Sequence, residues 1–471
     1  MGSLFSALGS ASNALEAFQR AIDVTQDNVT NANSPGYAKQ IPIFQSTPFQ
    51  LSSDLSGGIV EQTQDGRNQY ADAVVRQQLS LQGAAQQLQS SLAPLQNVFD
   101  VSSSSPIPSA LNQLFQSFSQ WSTQPSNPVY QTAVINAAQQ AATAFQQAAA
   151  QLSGIRGNTI QDLQSTVGQI NHDLAQVQAY NVQLAHQNGP NPGAQANLEA
   201  ALEDLSSQAN VQILSGVGGT VTVLLGGQTP LVIGTQLNTL QVQNDATNSL
   251  NGPPNQAIVD SNGNDVTSQI TSGSLSGLLN VVNTVLPSLA GGGNQVGGLN
   301  TLAQGLADSV NNLLAQGSTT STPPYQTGLP LFTYTPGSPT GVASSISVNS
   351  ALTPSQLAPT NPGPPVVSNG IALQLAGLDT APGGQINGMG FTQYFGSLTS
   401  QVGNAVSNAT TSAAAQTQMV AQAKSLQQQA SGVNLDEEAI RLVQLQSSYQ
   451  AASKVVTVID QLTQTLMNMV Q

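Results

Sequence analysis

Both ends of this 471-residue chain carry apolar residues at strict 4,3 heptad spacing, and that repeat restricts the kind of partner each end can take. A 3.5-residue period keeps one helix face turned towards another helix rather than towards a broad globular core. The N-terminal stripe is Leu4, Leu8, Ala11, Leu15, Phe18, Ile22, Thr25 and Val29. The C-terminal stripe is Leu442, Leu445, Tyr449, Ala452, Val456, Ile459, Thr463, Leu466 and Val470. At 1.5 Å per residue the first helix would be about 39 Å long and the second about 54 Å. Neither can bury its stripe alone. Each large aliphatic side chain removed from water gives roughly 1.5–3 kcal/mol, which makes each stripe the other's first candidate partner.

Each stripe has a defined border. The first stops at Asn33-Ser34-Pro35-Gly36-Tyr37. Pro35 disfavours the helical region at Ser34 and Gly36 accepts positive φ, so the pair suits the centre of a type II turn. On turn grammar alone, any helix can end this way. The second stripe starts after Ser431-Gly432-Val433. Asn434 is placed to cap it before Leu435, and Glu437 to reach back to the cap. Asp436, Glu437 and Glu438 fall where the helix dipole favours negative charge.

Between the ends, Tyr70, Val74, Leu81, Ala85, Leu88, Leu92, Leu95 and Phe99 predict a second helical tract kinked at Pro94. Pro125 and Pro128 break the next helical pattern. The longest clean stripe runs Ile160, Leu163, Val167, Ile170, Leu174, Val177, Asn181 and Leu184. Near Val211 the period changes to two, and Val221, Val223 and Leu225, then Gly226-Gly227, then Leu231 and Ile233 predict a hairpin or meander. Residues 278–289 and 299–314 read as helices. The stretch 317–390 holds 11 of the 25 prolines and predicts mostly loop with short strands such as 346–348. A helical pattern returns at Phe391.

Composition narrows function by exclusion. Only 6% of the residues are charged, against roughly 25% in typical soluble domains, and the net charge is -14. No basic patch is present to neutralise phosphates, so nucleic acid and anionic membrane are poor partners. There is no cysteine, hence no disulfide, thiolate catalysis or Cys-ligated metal. The first 20 residues lack the basic and continuous apolar regions of a cleaved secretory signal, and no apolar run is long enough to span a membrane.

Chemistry is equally sparse. His172 and His186, the two histidines, are fourteen positions apart, about 21 Å along a helix, too far to share a metal. Glu199, Glu203 and Asp204 form an acidic group, as do Asp436, Glu437 and Glu438. Helix solvation and dipole pairing account for both better than a paired-carboxylate site does. No phosphate-binding or nucleophile-elbow motif occurs. The sequence therefore predicts no catalytic residue, no cofactor and no metal.

Asn28-Val29-Thr30-Asn31-Ala32-Asn33-Ser34-Pro35-Gly36-Tyr37 resembles the signature near the N-terminus of bacterial flagellar rod, hook and hook-associated axial proteins, with Ser34 and Thr30 where Thr and Ala are usual. The lead Gly432, Asn434, Leu435, Asp436, Glu437 and Glu438, followed by Tyr449-Gln450-Ala451, is similar to the ending of the hook-associated protein 1 family, whose members form the hook-filament junction. That resemblance implies a structural subunit with no catalytic activity, secreted to the extracellular flagellum by the type III export system with an uncleaved signal. It implies self-association into a ring and contact with the flagellar hook protein, with the next hook-associated junction protein, and with a cytoplasmic export chaperone on the C-terminal helix. The assembly interface would be the two terminal stripes.

The expected fold is mainly α with a β-rich outer part (α+β), an elongated multidomain chain. Its N- and C-terminal helices would pair as a coiled coil, beside a helical-bundle middle domain and a small β domain. The expected division is 1–40 with 431–471 as the terminal coiled coil, 41–210 with about 272–316 and 391–430 as a helical rod, and about 211–271 with 317–390 as the β-rich part. Another rod or hook axial protein, or a non-flagellar coiled-coil scaffold, is the alternative. A polysaccharide-binding or hydrolytic surface protein would account for the Gly-, Asn- and Thr-rich β part.

Overall fold

The structure, a computed structural model, describes residues 2–47, 58–100, 106–186, 191–245, 252–380 and 386–470. In chain order, α1 (Gly2–Thr30) leads to β1 (Gln40–Thr47) and β2 (Gly58–Asp65), then α2 (Gln69–Leu92), α3 (Leu95–Val98), α4 (Pro106–Thr123), α5 (Pro128–Ala185) and α6 (Pro192–Gln208). Six short strands follow: β3 (Val211–Ser215), β4 (Val221–Leu225), β5 (Thr229–Ile233), β6 (Gln236–Leu237), β7 (Gln241–Asn244) and β8 (Gln256–Val259). The remainder comprises α7 (Ser274–Asn280), α8 (Leu286–Ala290), α9 (Gly298–Gln316), β9 (Phe332–Thr333), α10 (Val342–Ser345), β10 (Ser347–Val348), α11 (Gly370–Ala376), α12 (Phe391–Ser431) and α13 (Leu435–Val470).

The fold is thus mainly α with small β parts, and its long helices end where proline or glycine was expected to end them. Pro94 sits in the turn between α2 and α3, and Pro128 opens α5, its missing N–H costing nothing at that position. One expectation is refined and one is extended. Residues 278–289 are helical as expected, with a π-helical turn, Val281–Val285, between α7 and α8. The proline-rich stretch is not only loop and strand. Val342 and Ala343 in α10, and Ile371, Ala372 and Leu375 in α11, are buried, so one-turn and two-turn helices form there. Such helices are too short to show a period in sequence.

The chain forms two compact units. The first comprises Met1–Leu81, Ile170–Thr239 and Gln416–Gln471. In it α1 packs along α13, and the antiparallel β1–β2 hairpin, in register from Gln40 opposite Asp65 to Thr47 opposite Gly58, lies on α1. Strands β3, β4, β5 and β6 form an antiparallel meander in that order. Asn181, the polar position in the α5 stripe, holds this sheet. It is buried, its Nδ2 donates to the carbonyls of Val221 (2.7 Å) and Gly234 (3.0 Å), and its Oδ1 accepts from Val221 N–H at 2.8 Å.

The second unit comprises Gln82–Gln169 and Leu240–Ala415 and contains the largest core. Phe118, Trp121, Phe145, Phe332, Phe391 and Phe395 are its biggest fully buried side chains. Phe115 stacks on Phe391 with ring centroids 6.1 Å apart, and Phe99 stacks on Phe395 at 5.9 Å. The Trp121 indole N–H, which must be satisfied in such a place, donates to the Pro125 carbonyl at 3.0 Å.

Candidate functional site at the paired terminal helices

The seam between α1 and α13 is narrow, as a 4,3 repeat requires. Ala21, Ile22 and Leu445 are buried together, with Phe18 and Tyr449 packed against them. Leu8, Ala11 and Leu15 on one helix, and Leu442, Ala452, Val456 and Ile459 on the other, are half-buried, and Leu466 is exposed. The side chains of Leu4 and Val470 lie outside the described ones. Phe18 also reaches the hairpin, where its ring meets Phe44 edge-on at 5.4 Å. Val29 points outwards, 42% exposed, and the last seam position of α1 is taken by Asn28, which is fully buried.

Asn28 occupies the centre of a polar lock. Its Nδ2 donates to the Gln40 carbonyl at 2.8 Å and to Glu438 Oε2 at 3.1 Å. Its Oδ1 accepts from Gln40 N–H at 2.8 Å and from the Tyr37 hydroxyl at 3.0 Å. A side-chain amide has two donors and two acceptor positions, and here all four are used. One residue thereby ties α1 to the turn after it, to the start of β1 and to the first turn of α13.

Glu438 is fully buried, and the reading of it as a solvated helix-start carboxylate is corrected. Burying a carboxylate is costly unless it is paired. Lys39 Nζ supplies the pairing, 3.1 Å from Glu438 Oε1 and 3.0 Å from Glu437 Oε2. Glu437 is therefore engaged by Lys39 rather than reaching back to the cap. Asn434 does cap α13, its Oδ1 accepting from Asp436 N–H at 3.0 Å, while Leu435 beside it is exposed. Burial, followed by the charges of Asp27, Glu438 and Asp65, pushes the Tyr37 phenol up to about 12, so it remains a donor to Asn28.

The turn has the geometry its sequence predicts. Tyr37 N–H donates to the Ser34 carbonyl at 3.2 Å and Gly36 has φ +71°, the positive value a type II turn needs at its third position. Gly36 has a second constraint, because a Cβ there would collide with the Ala196 carbonyl of α6. Asn31 folds back on α1, Nδ2 to the Asp27 carbonyl at 2.9 Å, whereas Asn33 and Pro35 are exposed. At the far border Lys39 N–H donates to the Ser431 carbonyl at 2.8 Å, and a Cβ on Gly432 would meet the Gln428 carbonyl, so this glycine permits a close turn between α12 and α13.

Next to the lock lies a second ionic group that sequence reading assigned to solvent. Glu199 of α6 is buried and paired with Arg76, and Arg67 donates to the Gly36 carbonyl at 2.6 Å while its Nη1 lies 3.5 Å from Asp72. Burial pushes the Glu199 carboxyl up to about 7, against the pull of Arg76 and Arg67. Gln427 of α12 bridges Asp72 (2.8 Å) and Glu203 (3.2 Å), and Lys424 reaches Glu203 at 3.2 Å. The signal that could have found this group is scarcity. Seven of the eight basic residues belong to the first unit, and three of them, Arg67, Arg76 and Lys424, converge on these carboxylates, while Lys39 pairs with Glu437 and Glu438 in the lock.

Sequence reading also missed a second apolar face on α13. Ile440, Val443, Val455, Val458, Leu462 and Met469 are exposed, from 51% at Val455 to 70% at Met469. Their spacing, 3 from Ile440 to Val443, 3 and 4 from Val455 through Val458 to Leu462, and 7 on to Met469, was available in the sequence but hidden beside the stronger stripe. His172 and His186 are exposed, and among the described residues no three His, Asp or Glu side chains are grouped to hold a metal ion. No described helix is long and apolar enough to cross a membrane.

The chain is similar to known flagellar proteins. The family model described as flagellar hook-associated protein FlgK helical domain matches residues 92–332, and that of the flagellar basal body rod FlgEFG protein C-terminal matches residues 427–469. Flagellar hook-associated protein 1 of Bacillus subtilis (strain 168) is 25% identical over 509 positions, covering 99% of this chain and 99% of the relative. The fold is similar to that of the flagellar hook junction protein FlgK from Burkholderia pseudomallei, with a TM-score of 0.64 at 16% identity, over 75% of this chain and 99% of the other.

Proposed function

The chain belongs to the flagellar hook-associated protein FlgK family and is a structural component of the bacterial flagellum; from that premise we propose that it joins hook to filament as a ring of copies packed through their terminal helices. The observation that carries the reading is the pair of apolar faces on α13. One lies against α1, and the other, from Ile440 to Met469, is open to water in the single chain. Exposed apolar patches of this extent mark contact surfaces. Equivalent helices of neighbouring copies have the right length and spacing to cover it, with the polar lock holding α13 in register against α1.

In this reading residues 1–40 with 431–471 form the assembling coiled coil, 41–210 with about 272–316 and 391–430 the helical rod, and about 211–271 with 317–390 the β-rich outer part. The hook protein and the next hook-associated junction protein are the axial neighbours. Export runs through the flagellar type III apparatus, with a cytoplasmic chaperone shielding the C-terminal helix beforehand. Deletion of the gene tests it by electron microscopy. Hooks without filaments, with filament protein lost to the medium, are expected; normally attached filaments would reject the junction role.

A further inference from the structure

The second unit contains seven aspartates and a single basic side chain, Arg156. That guanidinium is buried, with 8% of the residue exposed, and takes part in none of the ion pairs among the described residues. Its Nη1 donates to the Val282 carbonyl at 3.1 Å, inside the π-helical turn, and its Nη2 donates to the Pro254 carbonyl. Those two contacts orient the group but supply only dipoles, not a countercharge. A buried lysine could shed its proton, but arginine cannot, so the charge stays and must be met by something negative.

A cavity of about 170 Å³ adjoins the guanidinium. Leu152, Leu286 and Leu299 form its apolar side, and the hydroxyl-bearing Ser153, Thr340 and Ser344 share the lining with Arg156. This volume exceeds what a water needs by an order of magnitude and admits a polyatomic ion. A planar guanidinium with N–H donors to spare, beside the Ser153 and Thr340 hydroxyls and with no carboxylate among the described lining residues, suits a tetrahedral oxyanion, while the Ser344 hydroxyl, which donates to the Gly341 carbonyl at 2.9 Å, shapes the wall. Burial lowers the Arg156 pKa and no acidic neighbour offsets it, consistent with a site short of negative charge.

We propose that Arg156, with the Ser153 and Thr340 hydroxyls, forms a binding site for a small inorganic oxyanion of phosphate or sulfate size in the second unit. The proposal is independent of the assembly role of the termini. It is tested on the full chain by thermal unfolding in sodium phosphate and in sodium sulfate, each titrated at constant ionic strength against sodium chloride. A ligand that binds only the folded state raises the midpoint saturably, unlike a general salt effect. Wild type is expected to saturate in the millimolar range. Arg156→Gln is expected to weaken the apparent affinity roughly tenfold or more, the loss of one charge-assisted bidentate contact. Ser344→Leu retains the guanidinium but adds bulk to the cavity lining and should produce the same loss, which keeps the test decisive if Arg156→Gln does not fold. A wild-type midpoint without saturable dependence, or one that Ser344→Leu leaves unchanged, would reduce Arg156 to a clamp between two backbone carbonyls and overturn the proposal.

Discussion

Asn28 and Glu438 are 410 positions apart in sequence, yet the Asn28 amide donates to the Glu438 carboxylate at 3.1 Å in a site closed to solvent. Each belongs to a motif that marks one end of the chain, so the two motifs are halves of one contact. Asn28→Ala would leave the Gln40 N–H and carbonyl, the Tyr37 hydroxyl and one Glu438 oxygen without their partner. Unsatisfied buried groups cost roughly 1–3 kcal/mol each, partly recovered by relaxation, and a loss on the order of 3 kcal/mol is expected in urea denaturation of the first unit. An unchanged midpoint would show that the lock contributes no stability.

Lys39 and Glu438 should behave as a coupled pair. Lys39→Met leaves a carboxylate buried without its cation and is expected to cost about 3–5 kcal/mol. Combining it with Glu438→Gln removes the stranded charge, so the double variant should be more stable than Lys39→Met alone. Additive losses in the double-mutant cycle would contradict the pairing.

Glu199 gives the first unit a pH dependence of definite sign. Its carboxyl titrates near 7 when folded and near about 4.3 when unfolded. Between those values the folded chain retains a proton that the unfolded chain has released. The stabilisation is complete below about pH 4.3 and is lost as pH rises through 7. The stability of Glu199→Gln relative to wild type should therefore rise by ~1–3 kcal/mol between pH 4.5 and pH 8. A constant difference over that range would place the folded pKa at its ordinary value.

Gly36→Ala combines a left-handed backbone with a collision against the Ala196 carbonyl. The conformational part alone costs about 1–2 kcal/mol, and the collision adds to it. Thermal unfolding should show a clear drop, accompanied by loosening of α6 in amide exchange. Wild-type exchange in α6 would mean that the turn absorbs the methyl group.

The open face of α13 should separate stability from assembly. Val455 and Val458 are each about half exposed, so Val455→Asp with Val458→Asp should leave monomer unfolding within about 0.5 kcal/mol of wild type per site. In the cell, the same chain should be exported but fail to retain filaments. Filament attachment at wild-type levels would show that this face is not used.

Much of the fold was legible because its long helices obey one rule over many turns. The borders of α1 and α13 were readable from Pro35, Gly36, Gly432 and Asn434, residues whose backbone requirements are local. The short helices α10 and α11 were not, since four and seven residues carry too little periodicity. The candidate site was half legible. Apolar residues announce a seam by spacing, but the burial of Glu438 and Glu199 depends on Lys39 and Arg76, which lie far away in sequence. A first-turn glutamate looks the same whether the turn faces water or a lysine. The shift of the last seam position from Val29 to Asn28 has the same origin, because only the arrival of Glu438 and Gln40 makes an amide preferable to valine there.

A heptad seam has one weakness as a fastening. Its pattern repeats every seven residues, so a helix displaced by two turns meets nearly the same apolar surface it left. Glu438 occupies the seam position seven before Leu445. Sliding α13 by one repeat would bring Leu445 to the Asn28 amide and strand Lys39 without its buried carboxylate. The lock therefore acts as a zero mark on an otherwise repetitive scale. In the assembly proposed above, where copies of the helix pair stack, an error of about 10 Å in one copy would propagate to every copy laid on it. A single amide with all four of its bonds committed at one point excludes that error before stacking begins.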